Sequence, residues 1–307
     1  MSQSVMRKSL RTVAPAVLCF SLCLSSCSGS KPATKPEVTI SNETRYRNAL
    51  SKMEKKKYDQ AALELEPLMF STRATNLEDD VLYSLGTAYF NSKQYLLSSE
   101  IYRRLLQQTP NSPHVKDAQF QLARSYEKLS PFYELDQEYT IKAINEFQAY
   151  LDQYPEQNTS EINNDVETYR ELLKVNPGNA SYKTKYEAAV AQLASQSPGK
   201  YCTTAIAVLK EKLAHNRYSI AEQYLKLKKY RAAGIYFDQV ISFFKESRSY
   251  EPAWIGKITV AVKRQKWFEA RQAIEEYQRL FPNKRDKIEG LYKKVLANFS
   301  NSRKSAQ

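Results

Sequence analysis

Apolar residues recur along this chain at spacings of three and four. Leu85 with Tyr89, Leu122 with Tyr126 and Ile220 with Tyr224 stand four apart, while Tyr102 with Leu105, Phe147 with Tyr150, Phe237 with Val240 and Ile274 with Tyr277 stand three apart. Both spacings put side chains on one face of an α-helix, and none of these runs has the strict alternation of a strand. The pattern also repeats at long range. Tyr58-Asp59-Gln60-Ala61, Tyr95-Leu96-Leu97-Ser98, Tyr230-Arg231-Ala232-Ala233 and Trp267-Phe268-Glu269-Ala270 each set an aromatic three places before a small residue. The first two and the last two are each offset by 37 residues. Three units close on a proline, Pro110, Pro155 and Pro282, which cannot continue a helix.

A fixed period in the range of 20 to 50 residues is the mark of a stacked repeat. Small residues such as Gly86, Ala123, Ala143 and Ala233 fit the crossing of two paired helices, where a small side chain lets the backbones approach. Each pair is too thin to bury its own apolar face, so neighbours stack into a solenoid. The spacing predicts five helix-turn-helix units over residues 42–78, 79–115, 116–157, 214–250 and 251–285. A closing helix follows with Ile288, Leu291, Tyr292, Val295 and Phe299 on one face. The third unit carries about eight extra residues between Tyr126 and Ala143. Between Pro155 and Tyr201 lie two further stripes, Ile162, Val166, Tyr169, Leu173 and Tyr182, Tyr186, Ala189, Leu193, separated by the turn signal Asn176-Pro177-Gly178-Asn179. They predict an inserted helical hairpin. The expected fold is therefore all-α, a solenoid of about five helix-turn-helix units with that hairpin and a carboxy-terminal cap.

The amino end changes the picture. Arg7, Lys8 and Arg11 precede a mostly apolar run from Val13 to Leu24, which has the shape of a secretory signal peptide and falls short of the roughly 20 residues that span a bilayer. Three of the four cysteines, Cys19, Cys23 and Cys27, fall here. Leu24-Ser25-Ser26-Cys27 resembles the bacterial lipobox, in which the cysteine is acylated and becomes the new amino terminus. The alternative is an ordinary secreted protein with a stray cysteine near its cut. On the lipobox reading residues 1–26 are a signal peptide, Cys27 carries the lipid, and residues 27–41, with Pro32, Pro36 and little that is apolar, form a tether. Ser28, not aspartate, favours sorting to the outer membrane. Removing Arg7, Lys8 and Arg11 lowers the formal net charge from +13 to +10. Outside the cytoplasm that surplus points to anionic lipid or to a protein face, not to nucleic acid.

Candidate chemistry is sparse. The only two histidines, His114 and His215, stand about a hundred residues apart with no metal-ligand spacing. Cys202 has no histidine near it in sequence and reads as a small hydrophobe. With 7 glycines the chain shows no phosphate-cradling loop, and no nucleophile elbow. A binding protein without cofactor, metal or catalytic residues is expected.

The repeat resembles the tetratricopeptide repeat. The start Cys27-Ser28-Gly29-Ser30-Lys31, the run Leu209 to Tyr224 ("LKEKLAHNRYSIAEQY") and "DQEYTIKAINEF" from Asp136 to Phe147, followed by Tyr154-Pro155, are similar to the BamD family of outer-membrane β-barrel assembly lipoproteins. The likeness spans nearly the whole mature chain except residues 158–200, a hairpin absent from the family. It implies a periplasm-facing lipoprotein whose amino-terminal half (42–157) binds unfolded outer-membrane proteins. The carboxy-terminal half (204–307, after the hairpin at 158–203) would dock a barrel-forming BamA-like subunit, with other assembly lipoproteins attending. It places Tyr46, Leu50, Tyr83, Thr87, Phe90, Phe120 and Arg124 along the substrate groove, Arg124 pairing with a terminal carboxylate. Tyr236, Arg248, Trp254, Lys263 and Arg264 fall at the partner interface, with Tyr236 standing where an interfacial arginine is expected. Repeats alone fit other periplasmic scaffolds equally, such as those of pilus secretin assembly or cell division. A cell-wall hydrolase on the same solenoid would need a carboxylate in a closed cleft, for which no local signature exists.

Overall fold

A computed structural model describes residues 41–155 and 159–304. The signal peptide, Cys27 and nearly all of the tether lie outside the described residues. Helices α1 (Asn42–Glu54) and α2 (Tyr58–Ser71), α3 (Glu78–Asn91) and α4 (Tyr95–Gln108), and α5 (Val115–Leu129) and α6 (Glu138–Gln153) form three antiparallel pairs. Then come α7 (Thr159–Val175) and the long α8 (Ala180–Lys226), followed by α9 (Tyr230–Phe243), α10 (Tyr250–Lys263), α11 (Trp267–Leu280), a 3-10 turn (Pro282–Ile288) and α12 (Glu289–Lys304). Each helix packs chiefly on its chain neighbours, save that α8 also packs on α6. The described residues form an all-α solenoid of the tetratricopeptide type.

Four turns within the pairs share one construction. Lys56, Lys93, Lys228 and Gln265 adopt left-handed backbone, with φ of 58°, 64°, 58° and 58°. The next N–H returns to a carbonyl five residues back, as from Lys57 to Lys52, Gln94 to Tyr89, Lys229 to Tyr224 and Lys266 to Ala261, at 2.8–2.9 Å. This is the Schellman closure, which normally uses glycine because a Cβ in left-handed backbone costs roughly 1–2 kcal/mol. The third unit lacks it. Its extra residues form a loop in which buried Gln137 donates to the Phe132 and Leu135 carbonyls at 2.9 and 2.8 Å.

The predicted break between the hairpin and the fourth unit, at 203/204, does not exist. α8 is one helix of 47 residues that runs through Pro198. Its first part pairs with α7, and its second serves as the first helix of the fourth unit, paired with α9. Cys202, Ala205, Ile206 and Leu209, all buried, join the core of the first three units, so the helix is held on both sides of the proline by packing that outweighs its local cost. Two smaller cores hold the rest, one around Phe237 and Val240, the other around Ile258, Ile274, Tyr277 and the cap residues Ile288 and Val295. Within the cap, Tyr292 turns outward at 37% exposure.

The small residues work as close-approach points. A Cβ on Gly86 would stand 2.8 Å from the ring of Tyr102, the fully buried tyrosine of its own unit. Gly256 does the same between units, since a Cβ there would enter the Phe237 ring of the preceding pair. Neither ring has room to retreat.

Candidate functional site

The first helices of the units, α1, α3, α5 and α8, form a layer, and the predicted groove residues link it from helix to helix. Tyr46 on α1 pairs its hydroxyl with Ser84 Oγ on α3 at 3.0 Å. Tyr83 on α3 stacks flat on His114 at the head of α5, 4.4 Å between centroids, and His114 Nε2 meets Asp80 Oδ1 at 2.7 Å. Thr87 donates to the Tyr83 carbonyl at 2.9 Å and pairs with the Tyr102 hydroxyl at 3.0 Å. Tyr46, Asp80, Tyr83, Thr87 and His114 are half-buried while Ser84 and Tyr102 are buried, and burial raises the phenol pKa of Tyr46 and of Tyr83. Leu50 is half-buried on α1. Tyr46 and Tyr83 thus serve as joints between repeats and Thr87 as one within its own, each with part of its surface still open.

Arg124 is the exception in kind. Its guanidinium carbon lies 4.9 Å from the centroid of Phe90, 5.8 Å from Phe120 and 5.5 Å from Tyr201, a frame of three rings that favours a cation. Phe120 and Tyr201 meet edge-on at 5.5 Å. The Tyr201 hydroxyl donates to Glu127 at 2.6 Å, and its pKa is raised, first by burial and then by that carboxylate. Arg124 enters no ion pair among the described residues, and its Nε, buried, has no hydrogen-bond partner. One turn back on α5, buried Gln121 Oε1 is likewise without a partner. A donor and an acceptor left open on the same helix are costly unless something else supplies the partners. Sequence reasoning missed Gln121 and Tyr201; the first is a lone polar residue with no periodic signal, and the second fell at the end of the predicted hairpin, outside the repeat units.

The predicted partner residues divide. Tyr236 stacks on Tyr224 at 5.6 Å and 20° within the fourth unit. Trp254 is 8% exposed and belongs to the core of the fifth unit, so its ring is not offered to a partner; its register on α10 turns it inward beside Ile258. Arg248 is exposed in the α9–α10 turn, and its backbone N–H donates to Glu211 at 3.1–3.2 Å. Lys263 and Arg264 are exposed at the end of α10.

His215 packs edge-on against Tyr133 at 4.0 Å, and Cys202 is fully buried. Among the described residues no group of His, Cys, Asp or Glu could hold a metal ion, and no helix is long and apolar enough to cross a membrane.

No protein-family model matches the chain, and no curated protein matches it in sequence. Among solved structures, a tetratricopeptide repeat protein from Parabacteroides merdae aligns at 16% identity over 83% of this chain and 98% of its own, with a TM-score of 0.32. A thermophilic tetratricopeptide protein of Thermus thermophilus aligns at 12% identity over 83% and 100%, TM-score 0.28. PilW, a type IV pilus biogenesis factor, aligns at 13% identity over 79% and 94%, TM-score 0.24. At these scores the likeness carries no argument.

Proposed function

We propose that this chain is a non-catalytic lipoprotein of the outer-membrane β-barrel assembly machinery, anchored through acylated Cys27 and facing the periplasm. It binds unfolded barrel proteins along the first-helix layer and a barrel-forming BamA-like subunit through its carboxy-terminal units. The observation that carries the substrate half of this reading is the open pair on α5. An unfolded strand presents an N–H and a carbonyl at every residue; by displacing the side chains that enclose them, it lets buried Gln121 Oε1 accept from the one and buried Arg124 Nε donate to the other, or to a terminal carboxylate. Phe90, Phe120 and Tyr201 supply apolar faces for an aromatic side chain. Nothing in this scheme makes or breaks a bond. The membrane half rests on the lipobox and on the Leu209–Tyr224 and Asp136–Phe147 likeness.

Depletion in the cell that makes the protein tests the assignment. Folded, detergent-stable porins are expected to fall and a large barrel subunit to co-purify. Unchanged porins overturn it, and a secretin or division protein in place of the barrel subunit moves the scaffold to that assembly. Mass spectrometry of the mature amino terminus is expected to find acyl chains on Cys27; a bare sulfur removes the anchor.

A further inference from the structure

The continuity of α8 leaves part of it without a neighbour. α10 starts only at Tyr250, and its head is pinned to α8 where the Arg248 N–H meets Glu211. The turns of α8 before Glu211 pack on the third unit through Cys202, Ala205, Ile206 and Leu209, but on the opposite side no next-unit helix reaches them. There an open cleft of about 750 Å³ lies between Ala207–Glu211 and the segment Ser242–Arg248. Val208 and Phe243 line it at 61% and 76% exposure, values that large apolar side chains hold at a cost unless a partner covers them.

The charges around the cleft choose the partner. Lys210, Lys245 and Arg248 are exposed, and none enters an ion pair among the described residues. Two carboxylates share the lining, Glu246 and Glu211, the second held in place by the Arg248 N–H, so three cations face two anions. Without residues 1–26, and so without Arg7, Lys8 and Arg11, the chain still carries a formal +10 of its +13, so its long-range field adds to the attraction for an anion. The geometry points to a docking site for an acidic polypeptide segment in which a bulky apolar residue is flanked by carboxylates. Phe243 and Val208 take the apolar side chain, and Lys210, Lys245 and Arg248 take the flanking charges. This deepens the partner-docking part of the proposed function and rests on it only in reading the chain as a protein-binding scaffold.

The test is fluorescence polarisation on the full-length chain with a fluorescein-labelled peptide bearing a Phe-Leu pair between two Asp-Glu pairs. Binding is expected to weaken at least tenfold with Phe243→Ser and with Lys245→Glu/Arg248→Glu, and to fall with added salt. It should be unchanged with Lys183→Glu, a charge change of the same sign on the α7–α8 arm. All these positions are exposed, and circular dichroism is expected to match wild type. No binding, binding that survives both cleft variants, or equal binding of a peptide with Lys replacing the acids overturns the proposal. Porin assembly after depletion reports separately on the assembly role: peptide binding with normal porins keeps the cleft and removes that role, and the reverse removes the cleft alone.

Discussion

The two ends of the solenoid are held together differently. Units one to three and the start of the fourth share one core, built from Ala49 to Tyr150 and from Cys202 to Leu209, with its first-helix layer cross-linked by polar and aromatic joints. Beyond Leu209 two smaller cores take over, one joining the fourth unit to Ala253 and Val260 of α10 and one shared by the fifth unit and the cap, and Gly256 against Phe237 is a tight point of contact between the fourth and fifth units. Close approach inside a unit at Gly86 and between units at Gly256 look alike in sequence but support different things: one holds a hairpin closed, the other holds two hairpins together. Repeat arrays of this kind are stabilised by the sum of intrinsic and interfacial contributions, so a defect at an interface divides the array and a defect within a unit weakens one block.

Both tryptophans, Trp254 and Trp267, lie in the fifth unit, so their fluorescence reports the carboxy-terminal block while far-UV circular dichroism reports the whole. Gly256→Ala is expected to cost about 3 kcal/mol, at the upper end for overpacking, and to lower the fluorescence midpoint more than the dichroism midpoint. Gly86→Ala, where the clash with Tyr102 is less severe, is expected to cost about 2 kcal/mol and to shift dichroism with little change in fluorescence. If both probes move together in both variants, the two blocks are one cooperative unit and the comparison fails.

Glu251 offers a gentler cut in the same block. Burial pushes its carboxyl up, but hydrogen bonds from Lys284, Lys287 and Tyr277 outweigh it and hold the pKa at about 2. The folded value lies below the unfolded one near 4.5, so the stabilisation is full above that pH and is lost as pH falls toward 2. Glu251→Gln is expected to cost about 1.5 kcal/mol at neutral pH, read by tryptophan fluorescence in urea, with the difference from wild type closing between pH 4.5 and 2. A difference independent of pH contradicts the charge-based account. The smallest effect is a gain. Lys93→Gly removes a Cβ from left-handed backbone and is expected to stabilise the second unit by up to about 1 kcal/mol, seen as a higher dichroism midpoint; a lower one means the Lys93 side chain contributes more than its strain costs.

The helix pairs were legible because burial at fixed spacing leaves a period in the residues themselves: Tyr58, Tyr95, Tyr230 and Trp267 each open a second helix, and Gly86, Ala123, Ala143 and Ala233 sit at crossings. Continuity of α8 was not legible, since Pro198 and Gly199 read locally as a break and only the packing of Cys202 to Leu209 on another unit overrides it. Trp254 was misplaced for a related reason. On a helix buried on several sides, position within the repeat does not say which aromatic faces solvent. The ring frame around Arg124 is complete only when α8 brings Tyr201 against α5, a long-range contact with no trace in local pattern.

The central claim is that the first-helix layer grips unfolded polypeptide through Gln121 and Arg124. Its most direct test is binding of a urea-unfolded outer-membrane porin, diluted onto the full-length chain, to wild type and to Gln121→Ala/Arg124→Ala. The account predicts saturable binding by wild type and at least tenfold weaker binding by the double variant, with the dichroism midpoint lowered little. Equal binding by both proteins contradicts it.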